Sequence, residues 1–282
     1  MAPPTKKLPF EMRDEGRAPY LVCLPLEEAG FTNAFSTRLG GVSPFPDKSL
    51  HLSFKNDTPD HVRENRRRFL STLGASDFKI VTPEQTHSSD SSVVDDMVLE
   101  TLQQKEDYEP RGDALVTNRM KILLGVKTAD CLPLLIGDPE TGVMAAVHAG
   151  WNGTLEKITE KTIDTLINLF GVEPENCLAA MGPAACGGCY EVGEDVAGPI
   201  RNTFSYHEDL LFPSPNASKY FLDVKLANAM QLLSAGLSPL NIFGADECPM
   251  HENQLFFSHR IEGKTAGDKV GRMLSVIGRN PF

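Results

Sequence analysis

Residues 126–154 read VKTADCLPLLIGDPETGVMAAVHAGWNGT. Two apolar runs of strand length, CLPLLIGD and GVMAAVHAGW, flank the turn-forming string DPET. A β-hairpin with a four-residue loop over Asp138–Thr141 fits this pattern, closed by Gly137 and Gly142. Pairing those two glycines carries down the ladder to set Cys131 directly opposite His148. Side chains so placed share one face of the sheet, with Cβ atoms ~5 Å apart. A slip of one residue would send one of the two to the other face.

A thiol and an imidazole at that separation suit a shared metal ion. His87, in QTHSS, is the candidate third ligand from a remote segment. One Cys and two His with a fourth position left open is the pattern of a catalytic zinc, because structural zinc sites are closed by four protein ligands. An open site lets the metal acidify water or polarise a substrate. The competing reading makes Cys131 a small buried hydrophobe and both histidines satisfied core residues. The matched hairpin positions favour ligation. So do Gly150 and Gly153, which permit close backbone approach around Trp151, the single Trp of the chain and a candidate substrate surface. In STRLGG, Arg38 and the amides of Gly40 and Gly41 could hold an oxyanion. A plain surface charge explains Arg38 equally well. Gln85, Ser88 and Asp130 flank the ligands and could orient them or a substrate, and Asp130 is the candidate proton carrier.

The chain has 282 residues, with 38 acidic and 27 basic side chains and a formal charge of −11. That excess argues against nucleic-acid binding, which needs a surplus of Lys and Arg on one face. The one dense basic run, RENRRR at 63–68, is offset by nearby acids. With 41% apolar residues there is ample material for a core. No apolar run reaches the ~18 residues of a membrane span. The N-terminus lacks the apolar stretch of a secretory signal, so a cytoplasmic protein is expected. Six cysteines in that setting read as thiols or metal ligands rather than as a disulfide framework.

Outward from the hairpin, residues 1–19 read as a loose lead-in and 20–282 as the globular part. YLVCLPL, TNAFSTR, DALVT, ILLGVKT, NCLAAMG and NIFGAD read as strands. Helices are expected over TPDHVRENRRRFLSTLG, over Leu155–Phe170 with Thr154 as N-cap and Gly171 as stop, and over VGEDVAGPIRNTF and DVKLANAMQLLSAG. Met97–Glu109 reads as an exposed acidic excursion, and the chain ends in a strand–helix piece. Interleaved strands and helices, with several tight turns, imply a mixed sheet. SHRIEGKT at 258–265 lacks the leading glycine and the strand-to-helix setting of a phosphate loop, and neither G-x-G-x-x-G nor H-E-x-x-H occurs. CGGC at 186–189 is half of a zinc-knuckle pair; with no second C-x-x-C and Cys248 alone, two ordinary thiols are the simpler reading.

The blocks AFSTRLGGVS, NDTPDHVRENRRRF, QTHS, GDALVT, VKTADCLPLLIGD, AAVHAGWNGT, GPAACGGCYEVG, LDVKLANAMQL and FFSHR resemble the laccase-domain (YfiH-like) family, from about Phe35 to Ile277. Its members were first called multicopper polyphenol oxidoreductases and are now described as purine nucleoside phosphorylases. The resemblance implies a single α+β domain with a mixed β-sheet flanked by helices, and zinc held by His87, Cys131 and His148. It also implies phosphorolysis of adenosine, inosine and guanosine, cleavage of methylthioadenosine, and adenosine deamination. The partners it implies are purine nucleosides and phosphate. His51, Ile261 and the extra residues TAGDK before VGRM depart from the family pattern and bear on substrate preference.

Ligand counting weighs the two family names. A multicopper oxidase needs a blue-copper site and a three-copper cluster fed by H-x-H pairs, yet none of the seven histidines is so spaced. Adventitious copper at a soft Cys/His2 site remains compatible, with laccase-like polyphenol oxidation as its consequence. Two other readings stand beside phosphorolysis. Cys131 and His148 could form the nucleophile–base pair of a cysteine hydrolase, and a link of some relatives to cell-wall precursors suits that chemistry. Alternatively, the metal could belong to a non-catalytic scaffold.

Overall fold

Strands Leu132–Gly137 and Met144–Ala149 are buried at every position. Alternation divides their side chains between two cores. Leu132, Leu134, Ile136, Ala145, Val147 and Ala149 meet apolar residues of helices Ile158–Phe170, Glu194–Thr203 and Val224–Ser234. Leu135, Met144 and Ala146 turn the other way and pack on Phe35, Leu124, Val126 and Ile277 of a second sheet. Neither face is polar, so both runs are continuously apolar instead of alternating.

The computed structural model describes residues 9–14, 18–46, 48–266 and 269–281. The chain is a single α+β domain, and its described residues build two six-stranded mixed sheets and a small three-stranded one, where the sequence led us to expect one mixed sheet. The first large sheet runs Ile242–Gly244, Leu178–Met181, Leu132–Gly137, Met144–Ala149, Ala114–Thr117, Ser91–Val93. Its two outermost pairings are parallel and the inner ones antiparallel. The second runs Phe10–Arg13, Tyr20–Cys23, Phe31–Ser36, Met273–Arg279, Ile122–Thr128, Lys79–Val81, parallel only at its last pairing. The two share a core, and Phe69 of helix Pro59–Thr72 packs on the far face of the second sheet.

Strand Ile122–Thr128 lies in one sheet and strand Leu132–Gly137 in the other, so Ala129, Asp130 and Cys131 carry the chain between them. Asp130 makes the turn with φ of 94°, a region that Asp tolerates better than most residues. Cys131 is thereby fixed, half-buried, directly before strand Leu132–Gly137.

Several sequence expectations change. Phe10–Arg13, inside the supposed lead-in, form a strand paired with Tyr20–Cys23, while residues 1–8 and 15–17 lie outside the described residues. The 97–109 excursion contains a helix, Asp96–Gln104, capped by the Asp95 side chain and burying Val98 and Leu102. Two buried side chains in one short helix were too sparse a stripe to stand out. The helix expected from Leu155 is two helices, Trp151–Leu155 and Ile158–Phe170, broken at Lys157 with φ of 63°. Thr154 does not cap it: its hydroxyl accepts from Asn228 and its carbonyl from Gln231. Gly171 ends the second helix in the left-handed conformation, as expected. The closing piece runs helix then strand, His259–Ala266 followed by Met273–Arg279, the latter inside the second sheet. Cys248 does not stand alone, since the fold brings it beside Cys186 and Cys189. No helix among the described residues is long and apolar enough to cross a membrane.

Candidate metal centre

The donor atoms of His87, Cys131 and His148 lie within 4.8 Å of one another. The register that brings them together is not the expected one. Pro133 pairs with His148 and Leu132 with Ala149. The ladder continues to Asp138 and Val143, with the Asp138 N–H donating to the Val143 carbonyl at 2.9 Å. Gly142, expected to close the ladder, sits within the loop at φ of 73°, and its N–H donates to the Asp138 carbonyl. The four-residue loop is therefore displaced by one position, to 139–142, so the first strand gains a residue at the turn and the second loses one. This shift preserves parity, so Cys131 and His148 keep a common face and become diagonal rather than direct neighbours. His148 alternates in step with Met144 and Ala146, which places it on the inter-sheet side.

Asp113, fully buried just before strand Ala114–Thr117, organises the centre and was missed in the sequence. Its carboxylate accepts from the N–H groups of Thr86, His87 and Ser88, from the Ser88 hydroxyl, and from His148 Nδ1 at 2.7 Å. Its carbonyl also accepts from the His148 N–H. Nδ1 is thus engaged, which leaves Nε2 of His148 for the centre. His87 is held at φ of 60°, and its carbonyl accepts from the Asn152 side chain at 2.7 Å. The signal available in RGDALVT was an acid directly before the apolar run ALV, because a buried carboxylate must find donors. Gly150 lines the centre: a Cβ there would lie 3.1 Å from His87 Cδ2 and 3.4 Å from the Cys131 sulfur. Gly153 packs on the Ser88 carbonyl, where a Cβ would come within 2.8 Å.

Burial works against ionising the Cys131 thiol, but the facing imidazoles of His148 and His87 outweigh it and leave the thiol at about 6. Burial likewise opposes protonating His148, and the Cys131 and Asp113 charges overcome it, raising the imidazole to about 9. Asp113 is held at about 2: burial opposes ionisation, and the donors from His148 and Ser88 prevail. Asp130 shifts the other way. Burial pushes its carboxyl up, although Ser258 and the Arg260 N–H, 2.6 Å from Oδ2, favour the ionised form. Its Oδ1 is buried with no hydrogen-bond partner.

The remaining expected site residues are placed as follows. Arg38 is only 8% exposed, and its guanidinium bonds Glu262 at 2.8 Å and the Asn253 carbonyl at 2.6 Å while lying over the Phe257 ring. It is a buried tie to helix His259–Ala266, not an open anion contact. Gly41 packs so tightly on Ser49 that a Cβ would overlap its backbone, and the Gly40 and Gly41 carbonyls face Arg68. Gln85 pairs through both side-chain atoms with the backbone of Lys127, like one more rung of the sheet. Ser88 acts through Asp113. Trp151 is half-buried against the helix-side core. In place of Arg38, the cations that feel the centre are Arg272, acted on by the Cys131 and Asp130 charges, and Arg260, beside Asp130. Arg260 also stacks on Tyr190 and donates to the Glu191 carbonyl, and the burial-raised Tyr190 hydroxyl feels Cys131 too. His51, one of the departures from the family pattern, accepts from the Arg272 N–H through Nδ1.

A thiol, two imidazoles and a carboxylate behind one imidazole form a donor set that could hold a metal ion such as zinc.

Residues 32–280 match the family described as multi-copper polyphenol oxidoreductase laccase. A purine nucleoside phosphorylase of Deinococcus radiodurans is 38% identical over 261 residues, 93% of this chain and 94% of that protein. Adenosine deaminase RL5, from an unknown prokaryotic organism, is 32% identical over 83% of this chain and 90% of its own length. The crystal structure of YlmD from Geobacillus stearothermophilus superposes with a TM-score of 0.87 at 31% identity, covering 97% of this chain and 99% of that one. Sequence blocks, fold and relatives agree, and the chain belongs to the YfiH-like family of multi-copper polyphenol oxidoreductase laccase proteins.

Proposed function

We propose that the chain is a zinc-dependent purine nucleoside phosphorylase that also deaminates adenosine. The observation that supports this reading most is the three-donor centre of His87, Cys131 and His148, with His87 exposed and His148 backed by Asp113. The names of the Deinococcus and RL5 relatives supply the substrate class and both reactions. Zinc bound there supplies Lewis-acid polarisation of a substrate oxygen.

In phosphorolysis a phosphate oxygen bonds to the anomeric carbon as the bond to the purine nitrogen breaks, and the departing base takes up a proton. Asp130 is the proton carrier in this reading, because its burial-raised carboxyl keeps a proton more readily than an exposed acid and its Oδ1 has no other partner. Arg260 and Arg272 take the phosphate role first expected of Arg38, whose guanidinium is engaged by Glu262. His51 fixes Arg272. The substrates are purine nucleosides with phosphate, and the compartment is the cytoplasm, in keeping with six unpaired cysteines.

The test is to incubate the purified protein with inosine and phosphate and to measure hypoxanthine and ribose 1-phosphate beside His148→Ala. Turnover unchanged in that variant would defeat the assignment.

One observation favours a second reading. Cys131, His148 and Asp113 line up as nucleophile, base and orienting acid, the order of a cysteine hydrolase. Activity of metal-free protein that is abolished by a thiol alkylator would select it. Laccase chemistry lacks the further histidine pairs that a three-copper cluster requires.

A further inference from the structure

We infer that Cys186, Cys189, Cys248 and His251 form a second, structural zinc site. Their donor atoms lie within 4.8 Å of one another. The four residues make two knuckles of identical spacing, C-G-G-C at 186–189 and C-P-M-H at 248–251, a Cys3His set of the kind that closes a structural zinc site.

Each knuckle is a tight turn. The Cys189 and Tyr190 N–H groups donate to the Cys186 carbonyl at 3.0 and 3.1 Å, and the His251 and Glu252 N–H groups to the Cys248 carbonyl at 3.0 and 2.9 Å. The sulfurs of Cys186 and Cys189 are 3.1 Å apart, and those of Cys189 and Cys248 are 3.5 Å apart. Both separations exceed the ~2.05 Å of a disulfide. They approach the ~3.8 Å edge of a tetrahedron with ~2.3 Å zinc–sulfur bonds. The Cys186 N–H points at the Cys248 sulfur at 3.4 Å, and the Met250 and His251 N–H groups face it as well. Three donors converging on one buried sulfur stabilise a thiolate, the form that binds metal.

The site has a mechanical purpose. The two knuckles follow strands Leu178–Met181 and Ile242–Gly244, the parallel pair at the edge of the first sheet. A closed tetrahedral ion ties one loop to the other. The tied loops form a wall of the first centre: the Ala185 N–H donates to the Asp130 carbonyl, Tyr190 directly follows Cys189, and Arg260 donates to the Glu191 carbonyl. Zinc at the four-ligand site therefore positions Asp130, Tyr190 and Arg260 without touching substrate. The inference holds whichever reaction the first centre performs.

The experiment is a metal count on full-length protein purified with a reducing agent and dialysed into metal-free buffer. His87→Ala/His148→Ala, which disables the first centre and leaves every cysteine in place, is expected to retain one zinc per chain. Its cobalt-substituted form is expected to show a strong sulfur-to-cobalt charge-transfer band. Adding Cys189→Ser to that background should remove both signals. A double variant with no zinc would overturn the assignment, as would zinc and the cobalt band persisting after Cys189→Ser.

Discussion

The two Cys/His groups differ in how they are built. In the first, Cys131 and His148 sit at the open end of one buried hairpin, His87 joins them from a remote loop, and the group stops at three donors. Cys186, Cys189, Cys248 and His251 come from two short turns on loops at a sheet edge and supply four. Behind the first stands a carboxylate that orients an imidazole. Behind the second stand backbone N–H groups aimed at a sulfur. Donor count and support together are what separate, in the functions proposed for them, a centre with room for a substrate from one that closes around its ion. A rigid sheet can hold an incomplete shell in shape, whereas loops of low intrinsic stability need a complete one.

The sharpest break in that comparison is His148→Ala. Losing a ligand should lower inosine phosphorolysis by at least ~100-fold, given that the residues behind ligands alone account for 10–100-fold. The zinc at the group of three cysteines and one histidine should be unaffected, as elemental analysis would show. Equal loss of both ions would mean the two groups are not independent.

Next comes Asp113→Asn, which keeps the shape but turns a pure acceptor into a group with its own donors. Activity or zinc affinity should fall by ~10–100-fold. The acid profile carries a second signature. The Asp113 carboxyl is held at about 2, below its ordinary 3.8, so the stability it confers is complete above 3.8 and lost as pH falls through about 2. Thermal melts of metal-free protein across that window should drop for the native chain and stay flatter for the variant, a difference of about 2 kcal/mol. Parallel curves would remove Asp113 from its assigned role.

Cys189→Ser should invert the pattern of His148→Ala, lowering the melting temperature by about 5 °C or more while turnover falls only several-fold. Calorimetry and a hypoxanthine assay on one preparation distinguish the two. The smallest effect is expected from Gly150→Ala, whose added methyl comes 3.1 Å from His87 Cδ2 and must shift that ligand by a few tenths of an ångström. A loss of ~5-fold in kcat/KM, about 1 kcal/mol, follows with little change in melting temperature.

Much of the first centre was legible because its elements are local. The apolar runs on either side of DPET are strands, and the parity of the hairpin brings Cys131 and His148 to one face even though the register is displaced at the turn. Arg38 and Gly41 misled because a Gly-rich loop beside an arginine looks the same in sequence whether it faces a bound anion or, as here, a half-buried glutamate of the chain itself. Asp113 was overlooked because its partners lie 25–35 residues away.

The chain's own order of residues determined what depends on near neighbours: which segments are strands or helices, where Gly171 ends a helix, and which side chains share a face. Those follow from backbone geometry and from burying apolar periodicity, both short-range. Only the tertiary structure decided the hairpin register, the gathering of five donors on Asp113, and the meeting of Cys186 and Cys189 with Cys248 and His251 across about sixty residues. Such meetings depend on how two sheets stack and which loops that stacking brings together, and no local spacing encodes it.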